Sequence, residues 1–186
     1  MIYLFIALKA EAQAFIQTFK LIRDPKQKNL YVSNQLTLLI TGVGIDNSVD
    51  TIRNFLIHKK ITTKDLFYNI GLCAAPAEIA IGSLLDIAKV HYKNSDIVLK
   101  KEGSVLFTFD EACEKTLPYC ADMEAFGAVH AAQEYFDRQQ IHVLKIVSDH
   151  FEPETLTKNL AQTLISRQIK QIQNHFQKEA SWPQSS

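Results

Sequence analysis

Cysteine is scarce and poorly spaced for a framework: Cys73, Cys113 and Cys120 are odd in number and form no C-x-x-C pair. A disulfide scaffold and a thiolate zinc site are excluded on that count, and a reducing cytoplasm is the expected setting. Excess charge is missing as well. Lys+Arg and Asp+Glu balance at 20 each, so the basic surface that nucleic acid requires is absent. No apolar run reaches the length of a membrane span. The run Met1 to Leu8 is less than half of one, and it lacks the basic flank and cleavage site of a signal peptide, so no membrane partner is expected. Six histidines are scattered without H-x-x-x-H or H-E-x-x-H spacing, so neither a metal nor a cofactor is expected. Lys59-Lys60 and Lys100-Lys101 are too short to be more than solvated surface.

What is present is apolar patterning. With 47% hydrophobic residues over 186 positions, the chain is long enough to bury one sizeable core. Ile2 to Leu8 reads as a buried strand, and Glu11 to Phe19 as a helix with Ala14, Phe15, Thr18 and Phe19 on one stripe. Leu30 to Val32 and Leu36 to Ile40 flank a polar turn as a hairpin, and Asp46 to His58 follows as a helix. Leu66 to Ile70 is a short strand ended by Gly71; Ile79 to Ile81, Leu84 to Val90 and Val105 to Phe109 are further strands. Met123 to Phe136 reads as a long helix, Ile141 to Val147 as a strand, and Glu154 to Phe176 as the last helix, with Pro153 in its first turn. Strands separated by helices predict an α/β fold: one domain over 1–180, a mixed or parallel central sheet flanked by helices, and a disordered tail at 181–186.

In such sheets chemistry gathers where strands end. Four polar groups stand there: Glu11, the Asn69-Ile70-Gly71 step, Asp122-Met123-Glu124, and Ser148-Asp149. Each has a structural explanation. Glu11 suits a helix dipole, Asp122 a helix cap, Ser148-Asp149 a turn before Pro153. Gly42-Val43-Gly44 is either a tight strand-to-helix turn or a weak dinucleotide signal without its third glycine. Carboxylates crowded into one cleft would have their protonation states driven apart, the division of labour that glycosidic cleavage needs.

The order of these pieces resembles the nucleoside phosphorylase/nucleosidase family, most of all its 5′-methylthioadenosine/S-adenosylhomocysteine nucleosidase branch. The resemblance rests on "ALKAE", Thr41-Gly42-Val43-Gly44, "NIGLCAAPAEIAIGSLLDI", "DMEAFGAVHAA" and "VSDH", over residues 1–90 and 120–150. It implies that Glu11 activates water, Asp149 protonates the purine, and Glu124 holds the ribose with Met123 packed on the sugar. Ser148 and Gly71 are implied at the substrate; Phe109 is either the stacking candidate for the base or a core phenylalanine. Hydrolysis is favoured because Asn69 stands where the phosphorylases have an arginine; Leu72 replaces a usual hydroxyl, and Lys145 a common arginine. The chain is also shorter than these enzymes, with the difference falling between Val90 and Val105. The resemblance thus implies a purine nucleoside hydrolase acting on methylthioadenosine, adenosylhomocysteine or a futalosine-like nucleoside, assembled as a homo-oligomer, taken as a dimer. The alternatives are a phosphate-dependent phosphorylase and an inactive nucleoside-binding homologue.

Overall fold

The computed structural model describes residues 1–179, and the tail expected at 181–186 lies outside them. Strand β1 (Ile2–Ile6) is buried at all five positions because helices cover both of its faces. Helix α1 (Lys9–Thr18) turns Ala14 and Phe15 inward, as its stripe predicts. The two-residue strand β2 (Ile22–Arg23), which no periodicity announces, joins the expected hairpin of β3 (Leu30–Val32) and β4 (Leu36–Ile40). Helix α2 (Ile45–Leu56) follows.

Strand β5 (Leu66–Ala74) runs straight through Gly71, where the sequence reading ended it. Gly71 pairs with Lys145 of the neighbouring strand, and the missing side chain gives that lysine room instead of breaking the strand. Residues 79–81, expected as a strand, form turns instead, with Ile79 N–H on Pro76 O (3.0 Å) and Ser83 N–H on Ala80 O (3.0 Å). Gly82, at φ +89°, then turns the chain into β6 (Leu84–Tyr92). That strand folds back on β7 (Ser95–Val98) and precedes β8 (Ser104–Thr108).

The expected long helix is divided. Residues 120–122 form β9 (Cys120–Asp122), and helix α3 (Ala125–Ala132) begins only after a bend at Met123–Glu124. Asp122 causes the break: it pairs with Thr108 at the end of β8, while its carboxylate accepts the Ala125 N–H at 2.8 Å. Strand β10 (Ile141–Asp149) carries Ser148 and Asp149 at its very end. Pro153 opens a short 3₁₀ turn (Pro153–Thr155) rather than the last helix, α4, which spans Lys158–Glu179.

The sheet is mixed, as expected. β4, β1, β5 and β10 run parallel, while β3 and β6 are antiparallel additions at either side. β6 continues through β8 and β9, and β9 returns to β5 at Ala74–Ala121, so five strands close on themselves. Successive side chains point to opposite faces, which splits the core into two layers. Tyr3, Phe5, Phe67 and Val143 pack with Ile52 and Phe55 of α2 and Val129 of α3. Leu4, Tyr68, Ile70 and Leu144 pack with Phe15 of α1 and Ile165 and Ile172 of α4. Gly127 lets α2 and α3 meet closely, since a Cβ there would lie 2.6 Å from Ile45 O.

Candidate active site

The parallel strands β4, β1, β5 and β10 end on one side of the sheet, and the chain at or just beyond each end contributes to one hollow. A cavity of about 170 Å³ is lined by Glu11, Asp122, Glu124 and Asp149, with Met123, Ser148 and Phe109. Glu11 comes from α1, Glu124 from the turn before α3, and Asp149 from the end of β10, so three carboxylates far apart in the chain converge. The remaining wall is largely apolar and includes Leu72, Cys73 and Leu156. Leu8 and Val43 also line it and are exposed by 42% and 38%, which places them at the rim. The cavity is smaller than the roughly 300–1,000 Å³ of a typical small-molecule site, so a nucleoside would extend to that rim.

Each carboxylate is held differently. The two oxygens of Glu11 accept the N–H groups of Leu8 (3.2 Å) and Leu72 (3.3 Å). Burial pushes its carboxyl above the ordinary value, against the pull of the Lys145 ammonium and those two donors. Glu124 accepts the Gly44 N–H at 3.1 Å, a contact that the close packing of α2 on α3 permits. Burial first, and then the neighbouring Asp122 carboxylate, raise Glu124 to about 7. Oδ1 of Asp149 accepts the N–H groups of Phe151 (2.9 Å) and Glu152 (3.0 Å). Its Oδ2 lies 2.6 Å from the Ser148 hydroxyl, which is also 3.2 Å from Cys73 O.

A hydroxyl has one proton to give. When Ser148 donates to Cys73 O, its oxygen is free to accept a proton carried on Asp149 Oδ2. His150, the next residue in the chain, directs Nδ1 at Ala75 O (2.9 Å). Gly71 is the one candidate that is off the cavity wall. It lies in the interior of β5, where a Cβ would sit 3.5 Å from Lys145 Nζ and 3.6 Å from Glu11 Oε1.

Sequence reasoning did not anticipate the Lys145–Asp122 ion pair, 2.8 Å long and almost completely buried. A single lysine inside the otherwise apolar run at 143–147 was the available signal, because a buried ammonium needs a partner. Glu124, not Asp122, holds the N-cap position of α3; Asp122 ends β9, accepts the Ala125 N–H from there and is also that partner. Among the described residues, no group of three His, Cys, Asp or Glu is arranged to hold a metal ion. Among the same residues, no helix is long and apolar enough to cross a membrane.

No family model matches the chain, and no curated protein matches it by sequence. Solved structures do match. A 5′-methylthioadenosine/S-adenosylhomocysteine nucleosidase from Helicobacter pylori, crystallised with butyl-thio-DADMe-Immucillin-A, superposes with a TM-score of 0.75 at 12% identity, covering 95% of this chain and 97% of that one. The MTA/SAH nucleosidase of Streptococcus pneumoniae, in complex with 8-aminoadenine, gives 0.74 at 17% identity, covering 96% and 99%. CT263 (MTAN) from Chlamydia trachomatis gives 0.73 at 17%, covering 94% and 97%. The fold is therefore the one these nucleosidases share.

Proposed function

We propose that the protein hydrolyses the N-glycosidic bond of a purine nucleoside, releasing the free base. The observation that carries this reading is the convergence of Glu11, Glu124 and Asp149 on one cavity. Its chemistry separates into a base, a binding carboxylate and an acid. Glu11, anchored by two backbone donors, takes a proton from water as the oxygen attacks the sugar's anomeric carbon. Asp149 delivers the proton from Oδ2 to the purine, which departs with the electrons of the C–N bond. Glu124 accepts the ribose hydroxyls, Met123 packs against the sugar, and Phe109 stands beside the base. The positive charge that develops on the sugar is stabilised by the carboxylates around it. Water enters and free base and ribose leave, so the step balances without a cofactor.

Water is preferred to phosphate as the nucleophile on electrostatic grounds. Among the described residues lining the cavity there is no Lys, Arg or His, whereas four carboxylates are present. A phosphate dianion would meet repulsion there and find no fork or ammonium to hold it. Lys145 is behind the wall and already paired. The same argument disfavours nucleotides as substrates and leaves neutral 5′ substituents, such as an alkylthio group. The apolar rim at Leu8 and Val43 supports assembly as a dimer, which would cover what a single chain leaves open. The working location is the cytoplasm.

The test is chromatography of the purified protein after incubation with methylthioadenosine, adenosylhomocysteine, inosine or aminofutalosine, with and without inorganic phosphate. Equal base release in both conditions is expected. Release only with phosphate would replace hydrolysis by phosphorolysis, and none from any nucleoside would leave a binding protein.

A further inference from the structure

Beneath the cavity lies a buried charge that no step above uses. Lys145 is 1% exposed, and its ammonium is bound to Asp122 Oδ2 at 2.8 Å. Asp122 is itself locked, its other oxygen accepting the Thr108 hydroxyl at 2.7 Å. Across Gly71 the same ammonium faces Glu11: a Cβ on that glycine would touch Lys145 Nζ at 3.5 Å and the two Glu11 oxygens at 3.6 and 3.7 Å. One positive charge therefore serves three buried carboxylates, Glu11 from α1, Asp122 from β9 and Glu124 from the turn before α3. The Cys73 thiol of β5 also faces this group, and its hydrogen bond with Cys120 and its burial keep it protonated.

With all three carboxylates ionised the cluster would carry a surplus of two negative charges in a nearly dry site, so one carboxylate retains a proton at neutral pH. Geometry decides which. Glu11 has two backbone donors and looks across a bare glycine at the ammonium. Glu124 feels the same ammonium, but it has only one donor, and after burial the like charge of Asp122 acts on it before that ammonium does. We propose that Lys145, clamped by Asp122, is a positioning residue that keeps Glu11 ionised as the base for water and leaves the cluster's proton on Glu124. Lys145 touches no substrate. Acting from behind the wall, it selects which glutamate serves as base. Only the kinetic part of this inference rests on the nucleosidase reading.

The test follows the side-chain carboxyl carbons of Glu11 and Glu124 by isotope-edited NMR from about pH 4 to about pH 9, with assignments from Glu11→Gln and Glu124→Gln. In the unsubstituted protein Glu124 titrates near neutrality, and Glu11 gives up its proton before Glu124 does. Lys145→Met raises the Glu11 transition by about one pH unit or more, a tenfold change in its proton affinity. The acid limb of kcat moves up with it, so kcat falls about tenfold at pH values below both transitions, and KM changes less than about threefold. Lys145→Arg restores both profiles. A folded Lys145→Met protein with an unmoved Glu11 transition overturns the proposal. If Lys145→Met does not fold, Asp122→Asn decides, because loss of the like charge must lower the Glu124 transition; an unmoved one is equally fatal. A protein that cleaves no nucleoside defeats the hydrolase reading, while the NMR titration still decides the role of Lys145.

Discussion

Strands β5 and β10 carry a buried polar cluster on each face, three register positions apart. On the α2/α3 face, Lys145 crosses Gly71 to meet the carboxylates. On the α4 face, His142 lies beside Tyr68, their rings stacked with centroids 4.7 Å apart, and the Tyr68 hydroxyl meets His175 Nδ1 at 3.0 Å. Asp86 completes that second group by pairing with His175 and Lys100. Burial opposes the Asp86 charge, but those two partners bring its carboxyl down to about 2. The first cluster has too many charges of one sign and opens into a cavity. The second is covered by rings around Tyr68 and reaches solvent at Asp86 and Lys100, and among the described residues its buried His142 Nε2 has no hydrogen-bond partner. Burial, then the nearby His175 and Lys100, lower His142 to about 4. Charge surplus beside open space favours chemistry, whereas charge avoidance under a helix favours stability.

The largest expected effects come from disabling one cluster without touching the other. Glu11→Gln and Asp149→Asn each lower base release by about 10² to 10⁴, the usual worth of a positioned acid or base. The Tyr68 group is untouched, so thermal unfolding near neutral pH stays within about 1 kcal/mol of the parent. A comparable loss of stability would make these carboxylates structural and collapse the distinction between the two faces.

The two clusters also bend the pH dependence of stability in opposite directions. Glu124 is raised from 4.5 to about 7 on folding, so it favours the native state at low pH and forfeits that as pH rises through about 7. His142 is lowered from 6.5 to about 4, so its contribution is complete above 6.5 and disappears as pH falls through about 4. Each change is on the order of 3 kcal/mol. Denaturant titrations across this range should show Glu124→Gln gaining stability on the alkaline side. His142→Phe keeps the stacked ring and should flatten the acid side. If both variants followed the parent curve, neither cluster would govern acid–base stability.

The elements that formed legible patterns in the sequence were those with a full period. The stripe of α1, the β3–β4 hairpin and the apolar run of β10 were readable, and so were the positions of Glu11, Glu124 and Asp149 near the ends of their elements. Strand β9 was not. Three residues carry no periodicity, and Cys120–Asp122 exists because β8 and β5 offer it edges. Glycine misled once: Gly71 looked like a terminator, but its backbone is ordinary strand and only its missing side chain matters. Gly44 did behave as a turn glycine, at φ +96°, and gave its N–H to Glu124, which no local pattern reveals. The Lys145–Asp122 pair was half visible as a charge inside an apolar run. Its partner is 23 positions away, and only the pairing of β9 with β5 and of β5 with β10 brings the two together.

Gly71→Ala makes the smallest and most discriminating change. The new methyl would sit at ordinary contact distance from Lys145 Nζ and both Glu11 oxygens, with no backbone atom in the way. Alanine also restricts the unfolded chain and suits a strand, worth about 0.4–1 kcal/mol in its favour. Against that, the methyl removes whatever solvation or direct approach the ammonium and the carboxylate share across the bare glycine. Net stability should therefore move by less than about 1 kcal/mol, while the Glu11 transition rises by a fraction of a pH unit. A substitution that leaves stability and Glu11 both unchanged would show that the lysine acts on Glu11 through Asp122 and Glu124 instead of across the strand. A rise in the Glu11 transition without loss of stability would place the coupling in the gap at Gly71, between the ammonium and the carboxylate.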